Sequence, residues 1–120
     1  MNKKHILIVE DELHLRDTWK EMLIHFNYDP IIASNGFEAT NKLNEHSIDV
    51  IITDLHMPVM DGYLLLDHLK NNNLDIITFV CSGQIILEKL SPYDINKIIH
   101  KPFNMIKVIQ ELNTFFNDDC

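Results

Sequence analysis

Short runs of consecutive apolar residues alternate along this chain with segments whose apolar residues recur every three or four positions. Ile6-Leu7-Ile8-Val9 is apolar throughout and stops abruptly at Glu10-Asp11-Glu12, as a strand buried on both faces does. Leu15, Trp19, Leu23 and Phe26 then follow at helical spacing, with Met22 on the same face. The stretch Asn27 to Pro30 ends that helix, and Ile31-Ile32-Ala33 predicts a short second strand. Ser34-Asn35-Gly36 turns the chain into a helix from Phe37 to about Glu45. Val50-Ile51-Ile52-Thr53 predicts a third strand, and it too ends on an acid, Asp54. Pro58 and Asp61-Gly62 punctuate the next loop, with Asp61 the expected N-cap of a helix from Tyr63 to about Lys70. Ile76 to Cys81 is a fourth strand ending at Ser82-Gly83. Ile98-Ile99 is the core of a fifth, ending at Lys101-Pro102. Asn104 then caps a helix carrying Ile106, Ile109 and Leu112 to Phe116, its apolar face broadened by Met105 and Val108.

Strand and helix thus alternate from end to end without a repeat or a linker. Strands apolar on both faces and joined by helices predict an α/β domain, a doubly wound, five-stranded parallel sheet covered on both sides. The chain's 120 residues suit one such domain over 1–120. In sheets of this kind ligands bind beyond the carboxyl ends of the strands, where the strand order reverses. Glu10-Asp11, Asp54, Ser82 and Lys101 stand at those ends.

Composition narrows the function. A net charge of −8 with ten Lys and Arg leaves no basic footprint for nucleic acid. No apolar run approaches the roughly 18 residues of a membrane span, and the N-terminus lacks a signal-peptide pattern. Two cysteines, Cys81 in an apolar run and Cys120 at the last position, make no disulfide framework, so a reducing, cytoplasmic setting is expected. Cys81 reads as a small buried hydrophobe, and Trp19 as core. None of the seven histidines stands in a His-Glu-x-x-His arrangement.

The strand ends therefore carry the chemistry. Carboxylates converging in one crevice repel one another unless a cation sits among them. Hard oxygen donors in small number suit Mg²⁺, which keeps several waters and accepts a phosphate oxygen. A lysine and a hydroxyl nearby can hold the remaining phosphoryl oxygens. One carboxylate between a metal half and an anion half fits a phosphorylated aspartate. Alone, Asp11 or Glu12 could equally start a helix, Ser82 make a turn and Lys101 sit in solvent; the combination separates the readings.

In this pattern the chain resembles the receiver domain of two-component response regulators. The resemblance rests on Ile6-Leu7-Ile8-Val9-Glu10-Asp11-Glu12, Asn35-Gly36-Phe37-Glu38-Ala39, Asp54-Leu55-His56-Met57-Pro58-Val59-Met60-Asp61-Gly62, Ser82-Gly83 and Lys101-Pro102-Phe103. It implies a flavodoxin-like (βα)5 fold with Asp54 as phosphoacceptor, Asp11 as a direct Mg²⁺ ligand and Glu10 as a ligand through water. The backbone carbonyl of His56 would be a third direct ligand. Ser82 and Lys101 would contact the phosphoryl group, His56 and Gln84 would tune its hydrolysis, and the Lys101-Pro102 peptide would be cis. The donor would be a phosphohistidine on a sensor histidine kinase or phosphotransfer protein, and the output a contact with another protein. Such a domain modifies only itself. An initiator-like Met1 favours a stand-alone regulator over a piece of a longer protein.

Two departures from the family stand out. Three residues before the lysine, where the family commonly carries an aromatic switch residue, this chain has Ile98; Tyr93 is too far back to replace it by register. The stretch from Ser82 to Lys101 is also short, and Ser91-Pro92 ends any helix begun after Gln84, so the fourth helix should be short or irregular. Output through a dimer built on that helix is therefore not expected. Two other readings are weaker. A haloacid-dehalogenase-like phosphatase resembles Asp-x-Asp after its first strand, whereas Leu55-His56 follows Asp54. A flavodoxin-like nucleotide site needs an anion loop where Glu10-Asp11-Glu12 would repel phosphate.

Overall fold

The computed structural model describes residues 3–57 and 60–116. Five strands, β1 (His5–Val9), β2 (Asp29–Ala33), β3 (Val50–Asp54), β4 (Ile77–Ser82) and β5 (Lys97–His100), alternate with five helices. The helices are α1 (Leu13–His25), α2 (Gly36–Glu45), α3 (Gly62–Asn71), α4 (Leu87–Leu90) and α5 (Met105–Thr114). The strands form one parallel sheet in the order β2-β1-β3-β4-β5. The order reverses between β1 and β3, so the carboxyl ends of these two strands border the crevice where such sheets bind ligands.

Alternation along each strand divides the core. Ile6 and Ile8, Val50 and Ile52, and Phe79 and Cys81 point to the side covered by α1 and α5, where Trp19, Leu23, Val108, Ile109 and Leu112 meet them. Leu7, Val9, Ile51 and Val80 point the other way, onto Ala39, Leu65, Leu66, Leu69 and Leu90 of α2, α3 and α4. This two-sided burial is why the strand sequences are continuous apolar runs rather than alternating ones.

Side-chain caps set three helix starts, two of them, Asp61 and Asn104, as the sequence predicts. Asn35 accepts from the Glu38 amide at 2.8 Å, Asp61 from Leu64 at 3.1 Å and Asn104 from Lys107 at 3.2 Å. In the acidic run it is Glu12 that caps α1, accepting from the amides of His14 and Leu15 at 3.1 and 2.8 Å. Glu10 and Asp11 are thereby left to another role.

Three expectations need correction. β2 begins at Asp29 and includes Pro30, which the sequence reading placed in a helix-ending break. β2 is an edge strand paired only with β1, so a residue without an N–H can stand in it. β4 runs from Ile77 to Ser82, one residue later at each end than expected. Ile106 is 45% exposed, because the buried stripe of α5 runs through Val108, Ile109 and Leu112. The fourth helix is a single turn, as its sequence requires, and it has no side-chain cap. The Lys101–Pro102 peptide is cis. Among the described residues no helix is long and apolar enough to cross a membrane.

Candidate functional site

The ends of β1 and β3 bring Glu10, Asp11 and Asp54 together. One carboxylate oxygen from each lies within 4.8 Å of the others. Glu10 and Asp54 are buried and Asp11 is exposed, so the cluster opens to solvent on one side. Lys101, just past β5, reaches over it. Its Nζ donates to Asp54 Oδ2 at 2.8 Å and to Glu10 Oε1 at 3.3 Å. Burial pulls the Lys101 ammonium toward its neutral form, but Asp54 and Glu10 outweigh that and hold it above its ordinary value. Glu10 is raised above the usual carboxylate range, chiefly by burial and further by Asp54 and Asp11, against the Glu12 amide and Lys101. The Glu12 N–H donates to Glu10 Oε2 at 3.1 Å.

Close backbone packing aims Asp54. The His56 amide donates to Asp54 Oδ1 at 3.1 Å, and the Gly62 amide closes the intervening loop onto the Leu55 carbonyl at 3.0 Å. A Cβ on Gly62 would lie 2.3 Å from the Asp54 carbonyl oxygen, so only glycine lets α3 begin this close to the strand end. Gly36, opening α2, donates to the Met60 carbonyl at 2.9 Å and props the same loop from its other side.

The remaining predicted residues stand on β4, on β5 and in the loops after β3 and β4. Ser82 is buried at the end of β4, and its hydroxyl donates to the Gln84 carbonyl at 3.1 Å while accepting from the Gln84 amide at 3.2 Å. The His56 ring Nε2 lies 3.2 Å from that same carbonyl, so Gln84 meets the site through its backbone. Ile98 is half-buried and, with Tyr93 and Ile95, packs against the core that includes Leu66, Val80 and Leu90. Tyr93 donates its hydroxyl to Asp67 on α3 at 2.5 Å and is pushed up to about 12 by that hydrogen bond and by burial. It therefore braces the short fourth helix against α3. Cys81 is buried directly before Ser82, and burial pushes its thiol up to about 12, which makes it inert. Cys120, Pro58 and Val59 lie outside the described residues.

No sequence pattern singles out Arg16. From the first turn of α1 its Nη1 donates to the carbonyls of Glu10 at 3.0 Å and Asp11 at 3.1 Å. A long cation one helical turn beyond an acidic strand end was the available signal. Chemically, the arrangement offers oxygen donors able to hold a divalent metal, one of which is a carboxylate already neutralised by a lysine.

The response regulator receiver domain model matches residues 6–113. The chain belongs to this family. As a receiver it is a phosphoacceptor domain whose acidic cluster suits metal-assisted transfer to an aspartate, and it is modified itself rather than turning over a substrate. The receiver is 31% identical over 117 residues to the chemotaxis protein CheY of Bacillus subtilis, covering 93% of this chain and 97% of that one. It is 34% identical over 106 residues to the aerobic respiration control protein ArcA of Escherichia coli K12, covering 87% of this chain and 44% of that protein. The chain spans about half the length of several regulators it matches, among them a probable transcriptional regulator of Pyropia yezoensis, of which it covers 54%. Among solved structures, the response regulator TrrA of Thermotoga maritima in complex with Mg²⁺–BeF superposes with a TM-score of 0.82 at 26% identity, covering 92% of this chain and 97% of that one. A CheY-like receiver from Methanospirillum hungatei reaches 0.89 at 22% identity, covering 98% and 96%.

Proposed function

We propose that Asp54 accepts a phosphoryl group from a phosphohistidine on a sensor histidine kinase or histidine phosphotransfer protein, with Mg²⁺ held at the carboxylate cluster. The observation that carries this is the Lys101 ammonium shared between Asp54 and Glu10 inside a three-carboxylate group. An all-oxygen donor set that needs a counter-ion in the resting state fits a small hard cation. Asp11 and Asp54 would bind it directly, Glu10 through water, and the His56 backbone, already lying against Asp54, would add its carbonyl. The Thermotoga relative, in complex with Mg²⁺–BeF, supports the choice of ion. A Mg²⁺ ion held there would supply neutralisation of the charge that builds on the transferring phosphoryl oxygens.

This chain's own residues do the rest. An Asp54 carboxylate oxygen forms the new O–P bond as the donor's N–P bond breaks. Lys101 shifts from the carboxylates to the incoming phosphoryl oxygens, to which its ammonium can donate. The Ser82 hydroxyl exchanges the Gln84 carbonyl for a phosphoryl oxygen, loosening the turn that leads into α4. Water later cleaves the acylphosphate, and His56 and Gln84, joined across the mouth of the site, set its access. With Ile98 in place of an aromatic and Tyr93 tied to α3, output proceeds without the common rearrangement of the fourth helix and fifth strand, toward a protein partner rather than DNA. Residues 1–120 act as one receiver unit.

Incubation with Mg²⁺ and acetyl phosphate tests the reaction class. Lasting acylphosphate is expected, whereas sustained turnover of a phosphate ester would favour a haloacid-dehalogenase-like phosphatase. Lys101→Ala should still bind Mg²⁺ but should lose the conformational response to phosphorylation, read as amide shifts in the Ser82–Leu90 segment.

A further inference from the structure

Two cations approach the acidic cluster, and they do so differently. Lys101 donates to the carboxylates themselves, at Asp54 Oδ2 and Glu10 Oε1. Arg16 touches none of them in this structure. Its Nη1 is forked between two successive main-chain carbonyls, those of Glu10 and Asp11. Both carbonyls lie between the last residue of β1 and the first turn of α1, where neither the ladder nor the helix supplies a regular partner.

The neighbouring anchors make the fork consequential. The Glu10 amide donates to the Ala33 carbonyl at 3.1 Å, and Glu12 is tied down as the cap of α1. The Glu10 carboxylate is also held by the Glu12 amide and Lys101, and Arg16 adds the hold on the main-chain carbonyls of Glu10 and Asp11. Its own backbone belongs to α1, whose Trp19 is buried and stacked on Phe103 at 5.6 Å, so the clamp is mounted on the core.

We infer that Arg16 is the positioning residue for metal binding: by fixing the carbonyls of Glu10 and Asp11 it presets both carboxylates toward Asp54. The inference rests on the Mg²⁺ reading above. It makes a prediction opposite in sign to simple electrostatics. A cation near a divalent-metal site repels the metal, so deleting a cation that acts by charge alone tightens binding. Deleting the clamp loosens it, because the two carboxylates must then be ordered at the cost of binding energy.

The test is calorimetric titration of the full chain with MgCl₂. Arg16→Ala is expected to weaken Mg²⁺ binding by about tenfold or more, the usual scale for groups that orient metal ligands. Arg16→Lys keeps the charge on a shorter, more flexible arm, and is expected to bind severalfold more weakly than the wild type. In phosphorylation by acetyl phosphate, the half-saturating Mg²⁺ concentration should rise by more than the maximal rate falls. Equal or tighter Mg²⁺ binding by Arg16→Ala overturns the inference. Should that variant not fold, wild-type affinity in Arg16→Lys overturns it instead. Absence of Mg²⁺ binding by the wild type overturns both this inference and the metal reading beneath it, whereas a wild type that binds while the variants match it overturns this one alone.

Discussion

Gly62→Ala is the smallest change that should disturb the phosphoacceptor without touching a charged group. The added Cβ would sit 2.3 Å from the Asp54 carbonyl oxygen and 2.7 Å from Leu55 Cα. Both are main-chain atoms of the strand end and cannot rotate away. Ordinary contact requires about 1 Å more separation, which must come from moving the start of α3 or the end of β3. Forced overpacking of this kind costs about 1–3 kcal/mol, and backbone on both sides places it toward the upper end. Alanine's better helix propensity recovers at most about 1 kcal/mol, leaving a net loss of about 2 kcal/mol. For a domain of this size that lowers Tm by roughly 5–10 °C. Displacing a reacting group by such a distance can also slow transfer about 100-fold. Thermal melts followed by circular dichroism, together with the labelling rate from acetyl phosphate, measure both effects. Gly83→Ala is the control for stability, since its Cβ would meet nothing nearer than 3.9 Å and should leave Tm within about 2 °C. Wild-type Tm and wild-type labelling in Gly62→Ala would refute the close-packing argument.

Other expectations follow from the same geometry. Burial raises Glu10, so its contribution to folding is full below its unfolded value near 4.5 and is lost as pH rises through the folded value; without Mg²⁺, Glu10→Gln should therefore flatten the decline in stability above that pH, read from melts across a pH series. Asn35→Ala should cost about 1 kcal/mol in urea unfolding, through loss of the α2 cap, while leaving Mg²⁺ affinity unchanged. Glu38 accepts from the Ser34 amide at 2.7 Å and is held below the usual carboxylate range chiefly by that bond, so its contribution is present above about 4.5 and fades as pH falls through the lowered value, a change Glu38→Gln should remove. Tyr93 should ionise near 12 rather than near 10 in an ultraviolet titration, and its stabilising bond should persist below about 10 and fade through the higher value. Asp67→Asn should bring that titration back toward the ordinary range.

Much of the fold is legible in the sequence because this sheet is covered on both sides. Ile6 to Val9 and Val50 to Ile52 are apolar at every position because both faces of the sheet are covered, and the acid that closes each strand end marks the crevice. Pro30 misleads because its lack of an N–H is a defect only inside a sheet, and edge position follows from strand order, which no local pattern encodes. The distribution of roles within Glu10-Asp11-Glu12 is similarly hidden. Three adjacent acids look alike until the helix start takes Glu12 as its cap. Arg16 escapes notice for the same reason: its chemistry is directed at two main-chain carbonyls, and no residue type announces such a partner. Ser82 and Lys101, by contrast, follow directly from reading strand ends as one place, although the sequence does not show that Ser82 rests on Gln84 in this state.

Asp54 is proposed to carry the phosphoryl group, in a metal-dependent reaction. Intact-mass spectrometry and peptide mapping after treatment with acetyl phosphate, with Mg²⁺ or with chelator, test it most directly. One phosphoryl group is expected, mapped to Asp54, formed with Mg²⁺, absent with chelator and absent in Asp54→Asn. Full modification of Asp54→Asn, or equal labelling of the wild type without a divalent metal, would contradict it.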